Sequence, residues 1–416
     1  MSYFKGVKCI RCGRPLGDDP FYEGCPACKA EGVGVNFTTT YDLTGAKLPG
    51  QNVQPGLFRW REFYPLPDDA VPVSIGEGNT PLLKLERLGE KLGIENLYVK
   101  DESRNPTMSY KDRLCSVIIT KARHDGVPAV TMASTGNHGA AAAAYAAAAG
   151  MPCVIFTIPQ VPDTMKTLMQ AYGAKVIVTP TSLDRWTIMG QCVRELGWMP
   201  VSGFMSPAIG SNCYGIDGYK SIAFEIYEQL GNAAPDFISV PACYSDGLYG
   251  TYKGMADLVE MGYLEKVPQF VGAEVFGSLE QTIAAGEENP KVVPSDWSIS
   301  FSIANGQCTW QGLEAVRKSG GYARSSNDKE TMDMQLLLAS TEGIYAEASS
   351  VTSLVALAKL AKEGKIAPGQ KAVAVLTSTG LKDPATTREH LPAVPTINPT
   401  MDELRAALKD SYGVTI

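Results

Sequence analysis

Short apolar runs rich in β-branched residues alternate along most of this chain with longer stretches of helical periodicity. The runs cover residues 96–100, 129–134, 152–158, 174–180, 236–242, 269–275 and 371–378. Continuous apolar runs of this length read as strands buried on both faces, and the stretches between them are long enough for crossover helices. Parallel sheets covered on both sides follow, an α/β architecture. The first and last runs lie too far apart in sequence for one small sheet, so two doubly wound α/β domains with a ligand cleft between them are expected. In such sheets ligands bind at the carboxyl ends of the strands. A Gly/Pro/Asn-rich link at 48–56 separates an N-terminal module, 1–50, from a catalytic region, 51–416. Within that region we expect a large domain from about 51–104 and 206–416, and a smaller mobile domain from about 105–205.

The chain has 416 residues, a net charge of −7 and a pI near 5.2. That balance, with no run of basic residues, argues against a nucleic-acid partner, so anionic ligands must be held by local groups. The first residues lack an apolar signal core, and the alanine-rich run 140–149 is too short and too weakly apolar to cross a membrane. A cytoplasmic location is the expectation, in which the 10 cysteines stay reduced. Four of them stand apart as Cys9-x2-Cys12-x12-Cys25-x2-Cys28, two knuckles spaced to close a thiolate tetrahedron around Zn²⁺, with Gly13 and Gly24 placed for tight turns. A lapsed ribbon or a redox pair is the alternative. Cys115, Cys153, Cys192, Cys213, Cys243 and Cys308 read as small buried hydrophobes.

Two segments carry candidate chemistry. In Asn105-Pro-Thr-Met-Ser-Tyr-Lys111-Asp-Arg113, Pro106 ends any preceding element, and Ser109 with Asp112 has the form of a capping box. Lys111 then falls in the first turn of a helix, whose positive end should lower its ammonium pKa and favour the neutral amine that an aldehyde cofactor such as pyridoxal phosphate requires. Taken alone, the segment also fits a solvated surface lysine. The second segment, Ala133-Ser-Thr-Gly-Asn-His-Gly139, leads from a strand through a Gly-punctuated turn into the alanine-rich helix. Its backbone N–H groups and hydroxyls make an anion site suited to an amino-acid carboxylate, or a plain helix cap.

With Gly76-Glu-Gly-Asn-Thr-Pro-Leu82, Gly218-Tyr-Lys-Ser221, Glu342-Gly-Ile-Tyr-Ala-Glu347 and Thr379-Gly-Leu-Lys-Asp383, these segments resemble the threonine synthase family, in order and over nearly the whole chain. Members depend on pyridoxal phosphate, and many begin with a zinc ribbon. The resemblance implies that Lys111 anchors the cofactor, that Asn137 hydrogen-bonds its ring hydroxyl oxygen, and that Thr377 faces the pyridine nitrogen. Ser134, Thr135, Asn137 and His138 would orient the substrate. Ser245 and the Gly247 backbone, in the loop 242–248, would cradle the phosphate, with Asp246 an unfavourable neighbour unless it points away. Two further departures stand out: Met108 replaces a customary glycine, and the arginine that grips a substrate phosphate in the family falls at Gly215. The implied activity is a lyase reaction on a small amino acid, by α-proton abstraction and β- or γ-elimination or replacement. Threonine synthase proper, acting on O-phosphohomoserine, is the alternative, and a non-catalytic binding protein of the same fold is a third reading. Relatives are commonly homodimers.

Overall fold

The computed structural model describes residues 2–17, 21–50 and 56–416. The expected domain boundary at 50/51 abuts residues 51–55, which lie outside the described residues. The strands are β1 (Phe4–Cys9), β2 (Phe37–Tyr41), β3 (Leu82–Lys84), β4 (Asn96–Asp101), β5 (Val130–Ala133) and β6 (Cys153–Thr157), followed by β7 (Lys175–Val178), β8 (Met199–Pro200), β9 (Phe237–Pro241), β10 (Gln269–Glu274), β11 (Tyr322–Ser325) and β12 (Lys371–Leu376). Every run picked from the sequence is a strand, β4 one residue longer than its run and the others trimmed by at most two residues at either end. β1, β2, β3, β8 and β11 were not anticipated.

A six-stranded sheet has the order β11-β10-β9-β12-β4-β3, parallel except where β3 pairs antiparallel with β4. A four-stranded, wholly parallel sheet has the order β7-β6-β5-β8. The smaller sheet is inserted between the fourth and ninth strands of the chain, so segments on both sides of it complete the larger one. Buried Val, Ile, Leu and Ala side chains fill both faces of the central strands. This burial explains why those strands read as unbroken apolar runs rather than alternating ones. The alanines at 140–146 are buried, and their small size lets the helix Asn137–Ala149 lie close against the helix Lys111–His124.

β1 and β2 form an antiparallel ribbon around the N-terminal cysteines. It is docked on the main body. Val7, Cys9, Cys25, Cys28, Val35 and Phe37 share a core with Cys213 and Trp310, and Thr39 and Tyr41 both donate to Asp217, which also pairs with Lys253 at 2.5 Å.

The start of the lysine-bearing helix is fixed by charge rather than by the expected cap. Ser109 Oγ accepts from the Lys111 N–H at 3.2 Å, but the Asp112 carboxylate turns back to Thr107, taking its backbone N–H at 2.7 Å and its hydroxyl. The Ser109–Asp112 capping box does not form. What holds the turn is Arg113, fully buried, whose guanidinium donates to Glu102 at 2.7 and 2.8 Å, to Glu225 at 2.7 and 2.8 Å, and to Ser221 and Thr80 at 2.8 and 3.0 Å. Lys100 adds a second cation, 2.6 Å from Glu225. Burial alone would push Glu225 up, but Arg113 and Lys100 hold it well below the usual carboxylate range. Removing one partner of such a group leaves buried charge without compensation. Arg113→Met is therefore expected to cost about 3–5 kcal/mol of stability. Chemical denaturation of the two proteins checks this, and a loss under about 1 kcal/mol would assign the cluster a minor role.

Candidate active site

A cavity of about 660 Å³ opens where the carboxyl ends of the two sheets face each other. Lys111, Ser134, Thr135, Asn137, His138, Ser245 and Thr377 all line it. Each arrives on a strand-to-helix or strand-to-loop turn: β5 delivers Ser134 to His138, β9 delivers Ser245 and β12 delivers Thr377. Lys111 is brought to the end of β12 by a bridge between Ser109 and Ser378 and by the Tyr110 N–H donating to the Thr377 carbonyl at 3.0 Å.

Lys111 Nζ lies 4.8 Å from the centre of the Tyr110 ring, and Tyr110 stacks on Tyr219 at 4.9 Å. Burial draws its ammonium down, but Tyr110, Asp246 and Cys243 more than offset that and hold it above the ordinary lysine range. The direction is opposite to the lowering expected from the helix end.

Asn137 is oriented from three sides. Its Nδ2 donates to Glu347 at 2.6 Å, while its Oδ1 accepts from Lys382 at 2.7 Å and Ser378 at 3.2 Å. An amide nitrogen has two hydrogens, so one donor is left for a ligand oxygen in the cavity. The motifs that contain Glu347 and Lys382 therefore act through Asn137. Thr377, 5% exposed, shares a 2.8 Å hydrogen bond with Ser350. Ser134 Oγ accepts from the N–H groups of Gly136 and Gly139 at 3.2 and 2.9 Å, which makes it a cap as well as a cavity residue.

Four buried polar atoms of residues lining this cavity have no protein partner: Ser245 Oγ, Ser349 Oγ, His138 Nε2 and Arg185 Nε. Burial and Lys111 hold the His138 imidazole well below the ordinary range, so it stays neutral. Such orphan atoms are costly unless a ligand or water meets them. Ser245 itself is left-handed, with φ of 62°, at the start of the helix Asp246–Glu260. Asp246 is turned aside: its carboxylate takes the Ser211 N–H and hydroxyl at 2.9 and 2.6 Å and the Gln311 amide at 2.5 Å. Gly247 lies behind the cavity wall, where a Cβ would come within 2.4 Å of the Tyr110 ring. Its requirement is packing.

The departures from the family pattern acquire physical reasons. Met108 has φ of 57°, a conformation glycine takes without strain, and its carbonyl accepts from Ser378 at 2.9 Å. Gly215 does not line the cavity. A Cβ there would meet Leu114 at 3.0 Å and Ile118 at 3.2 Å, so this position faces the lysine-bearing helix. Lys220 pairs with Asp257 at 2.5 Å under the Tyr41 ring and is structural. The cation that the cavity does hold, besides Lys111, is Arg185, which sequence reasoning missed along with Ser349, Tyr244 and Trp186. The strand-end rule could have found Arg185, since β7 leads directly into its helix, Ser182–Leu196. Cys243 also lines the cavity, and burial pushes its thiol up to about 12.

Away from this cavity, the thiols of Cys9, Cys12, Cys25 and Cys28 lie within 4.8 Å of one another. Gly13 and Gly24 are left-handed, with φ of 72° and 80°, as their tight turns require. No helix among the described residues is long and apolar enough to cross a membrane.

The family model for pyridoxal-phosphate-dependent enzymes matches residues 73–378. The threonine synthase of Methanocaldococcus jannaschii is 33% identical over 384 residues, covering 91% of this chain and 93% of its own. That of Methanosarcina acetivorans is 33% identical over 417 residues, covering 97% and 98%. Among solved structures, holo diaminopropionate ammonia lyase from Escherichia coli superposes with a TM-score of 0.66 at 18% identity, covering 76% of this chain and 88% of its own. Maize serine racemase does so with a TM-score of 0.64 at 21% identity, covering 75% and 91%. At those identities the likeness establishes the fold.

Lys382, which orients Asn137, provides a test of this arrangement. Burial pulls its ammonium down to about 8, against the opposing pull of Glu347 and Asp112. From about pH 8 to pH 10.5 the unfolded chain keeps a proton on this lysine that the folded chain has lost, so its contribution to stability rises with pH. The unfolding midpoint of the native protein should gain on that of Lys382→Met across this window. Parallel curves would place Lys382 in an ordinary solvated environment.

Proposed function

Because this chain belongs to the pyridoxal-phosphate-dependent enzymes, we propose that Lys111 anchors the cofactor and that the protein is a threonine synthase-like lyase acting on a small amino acid. The observation that carries the reading is the gathering of Lys111, Asn137, Thr377 and Ser245 around one cavity at the strand ends. The site suits the cofactor: Ser245 Oγ is buried and unpartnered at a helix start, where backbone N–H groups hold phosphate, and the Asp246 oxygens are engaged by donors of their own. When bound, pyridoxal phosphate supplies an electron sink for charge developing at the substrate α-carbon.

The chain's own groups do the rest. Thr377, a neutral hydroxyl, would face the ring nitrogen without protonating it, which favours elimination and replacement over transamination. The spare donor of Asn137 would meet the ring oxygen. Thr135 and the backbone N–H groups of the 134–138 turn would take the α-carboxylate and fix the α-hydrogen toward Lys111. Lys111 Nζ then acts as the base that removes that proton; a group at Cβ departs with its bonding pair as the Cα–Cβ double bond forms, whereas a group at Cγ departs only after a second proton has left Cβ. Trp297 and Phe301, stacked 6.2 Å apart at the cavity mouth, restrict water. The near-complete coverage by threonine synthases supports O-phosphohomoserine as the substrate to try first, and Gly215 does not count against it. A non-catalytic role has no comparable support, since Lys111, Asn137 and Thr377 are retained together.

The test is spectroscopic, then kinetic. The purified protein should be yellow, and Lys111→Ala should lose the absorption of the lysine-bound cofactor. A colourless protein that takes up no pyridoxal phosphate on reconstitution sinks the reading. A panel of β- and γ-substituted amino acids then identifies the leaving group. Threonine formed from O-phosphohomoserine with kcat/KM above about 10⁴ M⁻¹s⁻¹ would make this a threonine synthase in the strict sense.

The four clustered thiols support a structural Zn²⁺ held by Cys9, Cys12, Cys25 and Cys28. Protein prepared without chelator should contain one zinc per chain, and Cys9→Ser with Cys28→Ser should abolish it. Metal analysis that finds none overturns this assignment.

A further inference from the structure

We infer that Arg185 is the oxyanion receptor of the catalytic cavity and selects amino-acid substrates that carry a second anionic group. This rests on the reading of the cavity as a pyridoxal-phosphate site and adds to it a determinant of specificity. Arg185 lines the cavity near the mouth of the cradle formed by Cys243, Tyr244 and Ser245, and its neighbour Trp186 packs 6.3 Å from the Tyr244 ring. Its Nε is buried and has no partner. Unsatisfied guanidinium donors inside a protein are costly, and arginines in such positions ordinarily face a carboxylate or a phosphate.

The carboxylates that could neutralise it are committed elsewhere. Asp184, one residue away, is taken by the capping box of its own helix, accepting from the Thr181 N–H at 3.0 Å and hydroxyl at 2.7 Å. Asp246 is held by Ser211 and Gln311. Asp296 is exposed at the rim and accepts from the Trp297 N–H at 2.7 Å. With Lys111 occupied by the cofactor, Arg185 is the one cation left lining the cavity among the described residues. A guanidinium offers two parallel donors, matched to the oxygens of a phosphoryl or carboxylate group. Two such groups can reach the cavity, the distal group of the substrate and the phosphate of the cofactor, and the first is assigned because backbone N–H groups and Ser245 already serve the second.

The experiment compares the holoenzyme with Arg185→Gln and Arg185→Lys, both checked for a native unfolding midpoint. Binding of O-phospho-L-serine and of L-serine is followed by the change in the cofactor spectrum, and affinity for pyridoxal phosphate is measured separately. Loss of one charge-assisted bidentate contact should weaken O-phospho-L-serine about tenfold or more in Arg185→Gln. L-serine and the cofactor should shift less than about twofold, and Arg185→Lys should recover part of the loss. Inorganic phosphate should compete with O-phospho-L-serine in the native protein and fail to do so in Arg185→Gln. A selective loss of cofactor affinity would assign the receptor to the cofactor phosphate and overturn the substrate assignment. Equal weakening of both amino acids, or no change in any affinity, overturns the receptor itself. Should the protein prove not to carry pyridoxal phosphate at all, calorimetric titration of inorganic phosphate into the native protein and Arg185→Gln still reads the receptor independently.

Discussion

The buried guanidinium of Arg113 is the constraint on which the rest of the site depends. It stands two residues after Lys111 and is bound on one side by Glu102, at the end of β4, and on the other by Glu225, on the helix Lys220–Gln229. Thr80 and Ser221 close the ring. The lysine-bearing turn is thereby tied to the large sheet and to the helix behind it before any ligand enters. Gly218 permits this, since a Cβ there would come within 2.1 Å of the Arg113 carbonyl oxygen. Buried ion clusters of this kind add little net stability over an apolar core, and their use lies in specifying one arrangement. Here the arrangement specified is the direction in which Lys111 leaves the backbone.

The motifs divide into three layers on this basis. Glu77 accepts from Ser116, Tyr145 and Ser74 at 2.6, 2.8 and 3.0 Å, and the N–H groups of Gly78 and Asn79 are taken by Asn105 and Glu225. That motif builds scaffold and never reaches the cavity. Glu347 and Lys382 belong to an intermediate layer, gripping Asn137 so that its remaining donor points inward. Of the residues singled out in the sequence motifs, Lys111, the 134–138 turn, Ser245 and Thr377 line the open space.

Much of this was legible in the sequence, for a physical reason. Strands covered on both faces must be unbroken apolar runs, so β4, β5, β6, β9, β10 and β12 declared themselves; β7 is an exposed edge strand that was found because its Val-Ile-Val sequence is apolar all the same. β3, β8 and β11 are short edge strands with no such requirement, β1 is half-exposed, and β2 is covered but polar through Thr38, Thr39 and Thr40. The site residues carried by turns after strands were readable because glycine, hydroxyl and amide residues cluster there. What escaped was anything decided by long-range packing. The capping box failed because Asp112 found Thr107, Lys111 is held up rather than drawn down because Tyr110 packs against it and Asp246 acts on it from a distance, and Gly215 turned out to face a helix. Arg185 escaped because the strand-end rule marks the turn after β7 but does not say which way an arginine on the following helix points.

The docking of the N-terminal ribbon has a structural consequence of its own. The Asn36 carbonyl accepts from Ile10, between the first two cysteines, at 3.2 Å, and its side-chain amide donates to the Ser211 carbonyl at 2.8 Å. Ser211 in turn satisfies Asp246, next to Ser245 in the cavity wall. Three hydrogen-bonded links therefore run from the cysteine cluster to the one acidic group that would otherwise repel a dianion. The ribbon is less an appendage than the far wall of the cradle, and a chain begun after it would expose that carboxylate's supports to solvent along with Trp310 and Cys213.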